Sequence, residues 1–344
     1  MMNIFRKFKL QYSAINCIAL ILVLLLSATQ CSRESDTGRK TEDSTIEPEE
    51  KAGAYVSAYI VSYDYVPNTV KWDNITHLNV AFLYPNPDGT ISDKALKSVI
   101  KQIVDEAHKN NVKVIVSIRD ESPGQFAEAV EKRKSVLADN ILQYVKENNL
   151  DGFDIDFEDW GKTGIAQHLK EFAKELYGKK GRDILQTCAV NVYDRGYTTE
   201  WHQYFDLINV MAYDWHGPWN TEGQHSPYNE SIASIGFWIN EMKAPPAKLL
   251  LGLPFYGYSW NEGDTPGEAY RYSQILEKYP DMDVANNDKI DRLYYNGKAT
   301  IVKKCRWARD NKIGGVMIWQ IGQDAASDED SLLKAIGTEM RKEE

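Results

Sequence analysis

The chain has 344 residues, 43% of them hydrophobic, including nine Trp and twenty Tyr. That is enough apolar mass for one large core. Its formal charge of −10 argues against the phosphate backbone of nucleic acids as a partner. A neutral ligand fits better, although a mildly acidic surface can also serve solubility alone.

Arg6, Lys7 and Lys9 form a basic start, and an apolar run follows over 18–26. That run is well short of the ~20 residues that span a bilayer, so it reads as the core of a signal peptide. Just beyond it, Ala28-Thr29-Gln30-Cys31-Ser32 resembles a bacterial lipoprotein processing site, in which Cys31 takes the lipid and becomes the new N-terminus. Bulky Gln30 departs from the small residue usual there, and ordinary cleavage with release is the alternative. Residues 1–31 are therefore expected to direct export, to a periplasmic or cell-surface location if lipidated. Any membrane contact would run through that anchor. Residues 32–51 are polar and charged with no apolar period, and read as a disordered tether. With Cys17 removed and Cys31 lipidated, Cys188 and Cys305 remain, one in an apolar strand and one in a helix distant in sequence. They are expected as two buried free thiols. No Cys–His spacing suggests a metal site, and neither metal nor organic cofactor is expected.

From Ala52 to about residue 340, short β-rich runs alternate with helical stretches. The runs cover 55–61, 75–82, 112–117, 152–157, 185–190, 207–212, 248–253 and 315–319. Residues 92–110 read as a helix, because Leu96, Ile100, Ile103 and Val104 share one face, with Ser92 as its N-cap. Residues 124–149 and 165–177 read as helices by the same test. Eight strands alternating with helices imply parallel pairing through right-handed crossovers, at the size of a single-domain (β/α)8 TIM barrel. An open doubly wound sheet would want a Gly-rich turn after the first strand, and Ser62-Tyr63-Asp64-Tyr65 is not one. In such barrels the chemistry sits at the C-terminal strand ends.

The fourth run supplies the strongest signal. Asp151-Gly152-Phe153-Asp154-Ile155-Asp156-Phe157-Glu158 alternates acids with large apolar residues. On a strand, Phe153, Ile155 and Phe157 would face the helices. Asp154, Asp156 and Glu158 would project inward, about 6.6 Å apart along the strand. Like charges this close raise one another's pKa, so such a stack holds a proton on at least one member near neutral pH, as a general acid requires. Taken alone, the alternation equally suits a half-exposed antiparallel strand with its acids toward water. A divalent-metal site is disfavoured, because barrel metal sites draw ligands from several strands.

The string DGFDIDFE resembles the D-G-x-D-x-D-x-E signature of glycoside hydrolase family 18, the chitinases and related endo-β-N-acetylglucosaminidases. The resemblance extends along the barrel. Met211-Ala212-Tyr213-Asp214-Trp215-His216-Gly217-Pro218-Trp219 is similar to the family's sixth-strand segment, Gly252-Leu253-Pro254-Phe255-Tyr256-Gly257 to its seventh and Gly314-Gly315-Val316-Met317-Ile318-Trp319 to its eighth. Tyr59 stands where the first strand supplies a tyrosine.

The resemblance implies that Glu158 protonates the leaving oxygen, while the substrate's own 2-acetamido carbonyl attacks the anomeric carbon. Asp156 would hold the acetamido N–H, and Tyr213 would donate to its oxygen. Asp154 would share the proton of Asp156, with Ser117 and Tyr59 as hydrogen-bond partners. Asp214 would meet the sugar hydroxyls and Trp319 would form an apolar floor. Met211 and Tyr256 join the substrate contacts by the same resemblance. His216 and Trp219 are expected as packing behind the site. The implied partner is an N-acetylglucosamine-containing oligo- or polysaccharide, bound by a monomer, with retention of anomeric configuration.

Two stretches depart from the family pattern. The third strand usually ends S-x-G-G, but here it reads Ser117-Ile118-Arg119-Asp120 followed by Glu121. After Glu158 come Asp159 and Trp160 where Tyr is frequent. About 55 residues separate the last two strands, which leaves little room for a large α+β insertion. A shallow groove with few aromatic platforms is expected. Within a glycosidase reading, chitin-type oligosaccharides lead and the chitobiose core of N-glycans follows. A non-catalytic sugar-binding protein is the alternative, although such proteins usually lose the acid that this chain retains.

Overall fold

The computed structural model describes residues 55–158, 164–194, 197 and 200–342. Residues 1–31, expected as a signal segment with Cys31, residues 32–51, expected as a tether, and Asp159 and Trp160 lie outside the described residues. Eight parallel strands form the centre: β1 (Tyr55–Val61), β2 (His77–Pro85), β3 (Lys113–Ile118), β4 (Gly152–Asp156), β5 (Leu185–Val190), β6 (Leu207–Val210), β7 (Leu249–Pro254) and β8 (Gly315–Trp319). Each pairs with its sequence neighbour, and β1 pairs with both β2 and β8, so the sheet closes into a barrel. The expected (β/α)8 architecture is what forms. Closure leaves no unpaired edge among these eight strands.

The helices are α1 (Ile100–Lys109), α2 (Gln125–Glu147), α3 (Ile165–Lys179), α4 (Tyr228–Asn240), α5 (Tyr272–Lys278), α6 (Lys298–Asp310) and α7 (Leu332–Met340). Two connections carry only 3-10 turns among the described residues: Ser62–Asp64 and Trp72–Asn74 after β1, and Trp201–Tyr204 after β5. Cys188 and Cys305 are buried free thiols, as expected.

Ser92 is not a helix cap. It lies in a two-residue strand, Ile91–Ser92, that folds back antiparallel onto Tyr84 and Pro85 at the end of β2. The turn between them is closed by Asn86 N–H to Thr90 O at 2.8 Å and has Gly89 at φ 87°. Pro87-Asp88-Gly89 thus turns the chain, and α1 begins only after Val99.

Between β7 and α6 the chain makes a compact α+β excursion. Strands Tyr256–Trp260, Pro266–Arg271, Lys289–Ile290 and Leu293–Tyr294 form a small antiparallel sheet, with α5 following the second. The sequence reading left little room for an insertion. The structure fits a small one by keeping two of its strands to two residues each.

The core is layered by the strand alternation. Phe153, Ile155 and Phe157 point outward and are buried against the helices. The Phe126 ring of α2 meets Phe157 edge-on at 5.3 Å and Phe172 of α3 at 6.2 Å. Burial of each such ring stabilises the fold by about 1.5–3 kcal/mol. A separate inner cluster of Tyr59, Leu207, Tyr213, Leu250, Tyr256 and Met317 lines the barrel axis beneath the C-terminal face.

Candidate active site

β4 places its four acids at different depths. Asp151 lies at the N-terminal end, where its Oδ2 meets His108 Nε2 and accepts the Val114 N–H, both at 2.7 Å. Gly152 follows because β5 passes too close for a side chain: a Cβ there would sit 2.5 Å from the Leu185 carbonyl oxygen. The first acid and the glycine of the signature are therefore explained by barrel construction.

Asp154 is fully buried on the barrel axis. The parallel register sets it beside Ser117 of β3 and Thr187 of β5. Tyr59 and Ser117 donate to its Oδ2, and Thr187 to its Oδ1, each at 2.7 Å. Asn209 of β6 donates to Oδ1 at 3.3 Å and to the Tyr59 hydroxyl oxygen at 3.1 Å, which leaves the tyrosine proton for Asp154. Burial raises the Asp154 pKa, and these four donors oppose that rise. Ser117 and Tyr59 thus sit where the sequence reading placed them. Thr187 and Asn209 were missed, although Asn209 is the one polar residue of β6.

Asp156 forms the pocket floor and is buried. Its pKa is pushed well up by burial and then by the charge of Glu158, with Arg119 pulling the other way. A hydrogen bond to Glu158 adds to the rise. Asp154 below is already occupied by its four donors, so the carboxylate that Asp156 pairs with is that of Glu158. The other oxygen, Oδ1, is buried without a partner. Glu158 lies two residues past the strand end with its side chain 39% exposed, at the pocket mouth.

Tyr213 follows β6 and reaches into the same pocket. Among the described residues its hydroxyl finds only the Met317 sulfur at 3.9 Å, a weak acceptor. Burial keeps the phenol protonated, with the charges of Asp214 and Asp156 acting in the same direction. Gly252 of β7 makes room for it: a Cβ would lie 2.4 Å from Val210 O and 3.1 Å from the Tyr213 ring. Asp214 takes a left-handed backbone, φ 65°, which aspartate tolerates better than most residues. Its Oδ1 accepts from Tyr256 at 2.6 Å and from Tyr258 at 3.2 Å. Buried His225 stands behind it, with Nε2 at 3.0 Å from Tyr256 O and Nδ1 at 3.6 Å from Asp214. Burial lowers the His225 pKa, against the pull of Asp214, so the ring is neutral.

Trp319 ends β8 and is partly buried. It packs on Tyr59 at 5.5 Å and stacks on Phe82 at 5.9 Å and 23°. One pocket gathers Tyr59, Asp156, Glu158, Met211, Tyr213, Asp214, Tyr256 and Trp319, together with Arg119 from the stretch that departs from the family pattern, and with Ala189 and Asn191, which the sequence reading did not place there. Two expectations need correction. Trp219 is not packed away: it is 58% exposed, edge-on to Tyr258 at 5.6 Å. With Tyr258 in the insertion and exposed Tyr63 after β1, the C-terminal face carries more aromatic surface than a bare groove. Among the described residues no His, Cys, Asp and Glu group could hold a metal ion.

The profile of "Glycosyl hydrolases family 18" matches residues 53–324. Two solved structures are similar over nearly their whole lengths. A chitinase from Bacteroides thetaiotaomicron is 36% identical, with TM-score 0.78, covering 84% of this chain and 97% of that one. A family 18 chitinase from the chitin utilization locus of Flavobacterium johnsoniae is 30% identical, with TM-score 0.73, covering 84% and 94%. A chitinase-like effector from Moniliophthora roreri is 24% identical over 326 residues, covering 86% of this chain and 76% of that one. With the closed barrel and the carboxylate column at its C-terminal face, these matches make the chain a member of glycosyl hydrolase family 18 and a glycosidase.

Proposed function

We propose that the chain hydrolyses β-1,4 bonds on the reducing side of N-acetylglucosamine residues, with retention of configuration and assistance from the substrate's own amide. One observation carries this reading. The pocket presents a buried acceptor without a partner, Asp156 Oδ1, and a buried donor with only a thioether for company, the Tyr213 hydroxyl. An unmatched acceptor and donor facing one cavity are the complement of a secondary amide, which offers one N–H and one C=O.

In the working site, Asp156 would hold the acetamido N–H and offset positive charge as the oxazolinium ring closes. Tyr213 would hold the acetamido oxygen against the anomeric carbon, so that the attack is intramolecular. Glu158, at the mouth, would protonate the departing oxygen and later take a proton from water. Asp154 would anchor the column from below. Trp319, backed by Tyr59 and Phe82, would carry the apolar face of the ring. The chitinase names of the relatives favour chitin-type oligosaccharides over the core of N-glycans.

Incubation with chitotetraose and, separately, with a high-mannose glycoprotein, followed by mass spectrometry, tests the substrate. Shorter chitooligosaccharides are the expected products. Glu158→Gln should lower turnover by about 10³-fold or more while oligosaccharide binding persists. Wild-type turnover by that variant would remove Glu158 from the role of acid.

A further inference from the structure

Glu158 is the least supported of the three inward acids: it stands beyond the last strand residue, half in solvent. Arg119 occupies the position where the third strand of the family usually has a glycine. Its backbone N–H is fixed to Leu83 O at 3.1 Å, and its guanidinium lies 5.4 Å from the Phe82 ring centroid. From there Nη2 reaches Glu158 Oε1 at 3.4 Å. Phe82 stacks in turn on Trp319, Trp319 packs on Tyr59, and Tyr59 donates to Asp154. The carboxylate column is thus braced at both ends by one aromatic ladder.

We propose that Arg119 is a positioning residue for the acid: its guanidinium, seated on Phe82, holds the Glu158 carboxylate over the sugar site and sets the pH range in which the acid pair works. The inference rests on Glu158 being the proton donor. A half-exposed ion pair contributes little alone, since water screens it and two long side chains must be ordered. A guanidinium held over the Phe82 ring by cation–π attraction, 5.4 Å from its centroid, gives up part of that freedom before it meets Glu158. Lysine would keep the charge without the stacking face.

The charged and titratable groups around Arg119 are Asp154, Asp156 and Glu158 on and after β4, Tyr84 at the end of β2, and the Lys94–Glu121 pair beside it. Tyr213 and Asp214 stand across the pocket. Lys94 and Glu121 neutralise each other, so among the described residues Arg119 is the cation that acts on Asp156. It pulls the Asp156 pKa down, against burial and the charge of Glu158, and should draw both limbs of the rate profile toward lower pH.

The test compares kcat, KM and the pH–rate profile of wild type, Arg119→Ala, Arg119→Lys and Glu158→Gln on a chitooligosaccharide of fixed length. Arg119→Ala should lose about tenfold in kcat, with KM changed less than about twofold. Both limbs of its profile should move up by about half a pH unit. Arg119→Lys should return the limbs to the wild-type position and recover only part of kcat. A residue that merely braced the fold would lower the rate without moving the limbs. Unmoved limbs in Arg119→Ala, or a loss confined to KM, overturn the proposal. If Glu158→Gln is inactive while Arg119→Ala behaves as wild type, this inference alone fails. If Glu158→Gln turns over normally, the acid assignment falls with it.

Discussion

Lys304→Met should make the protein more stable at pH 6 and lose most of that advantage by pH 9.5. Lys304 lies on α6, fully buried behind the loop that carries Tyr213 and Asp214. Its amine donates to Ser226 O at 2.9 Å, Ser226 Oγ at 2.7 Å and Asn296 Oδ1 at 2.8 Å, all uncharged. Burial lowers its pKa from 10.5 to about 7, with Asp288 opposing the fall. At about 1.4 kcal/mol per pH unit, that difference means the charged amine costs the folded state about 5 kcal/mol below pH 7. Between pH 7 and 10.5 the unfolded chain binds the extra proton, so stability rises with pH across that window.

Methionine follows the same straight path and removes the charge. The Ser226 carbonyl keeps the Asn296 Nδ2 donor at 3.0 Å, and Ser226 Oγ still donates to Ala212 O at 2.6 Å. Only Asn296 Oδ1 loses its partner, at a cost of about 1–3 kcal/mol. The net gain at pH 6 is therefore about 2–4 kcal/mol, in line with replacements of other buried charges by apolar groups. At pH 9.5 the amine is neutral in the fold, and the advantage should shrink by about 3 kcal/mol. Urea denaturation of both proteins at the two pH values measures this. An equal loss of stability at both would show that the amine is not depressed, and would refute the argument.

Asp154→Asn should cost stability as well as rate. Its amide would turn a donor toward two of the four groups that now donate to the carboxylate. A loss of about 2–3 kcal/mol in thermal unfolding and about 10²-fold in kcat is expected, and unchanged stability would mean that the four donors are not charge-assisted. Gly252→Ala should lower kcat by about tenfold with a stability loss of about 1–3 kcal/mol, because its Cβ presses on the β6 end and the Tyr213 ring. Wild-type kinetics with a normal melting curve would show that Tyr213 tolerates displacement.

The parts of the site that were legible in the sequence are those written along a single strand. Alternation in β4 alone sends three acids inward, and β1, β5 and β8 fall where the apolar runs put them. What alternation cannot give is the rotation of one strand against the next. Thr187 meets Asp154 through the register of β5 on β4, and Asn209 through the curvature that brings β6 round, neither of which a single run states. The hairpin at Ile91–Ser92 was hidden by a competing signal: a serine ahead of a helical apolar face looks like a cap, while Pro87-Asp88-Gly89 had already turned the chain back. Counting residues rightly left no room for a large insertion but could not reveal the small one, whose two-residue strands need almost none. Arg119 is the sharpest case. In sequence it is a lost glycine of uncertain consequence, since neighbours one or two positions away are the only ones a linear reading can offer it. In space its partners are Phe82 from β2 and Glu158 from β4, the two strands that flank its own. A departure from a family pattern is thus read best across the sheet, where a residue's lateral neighbours decide whether it fills a hole or holds a catalytic group.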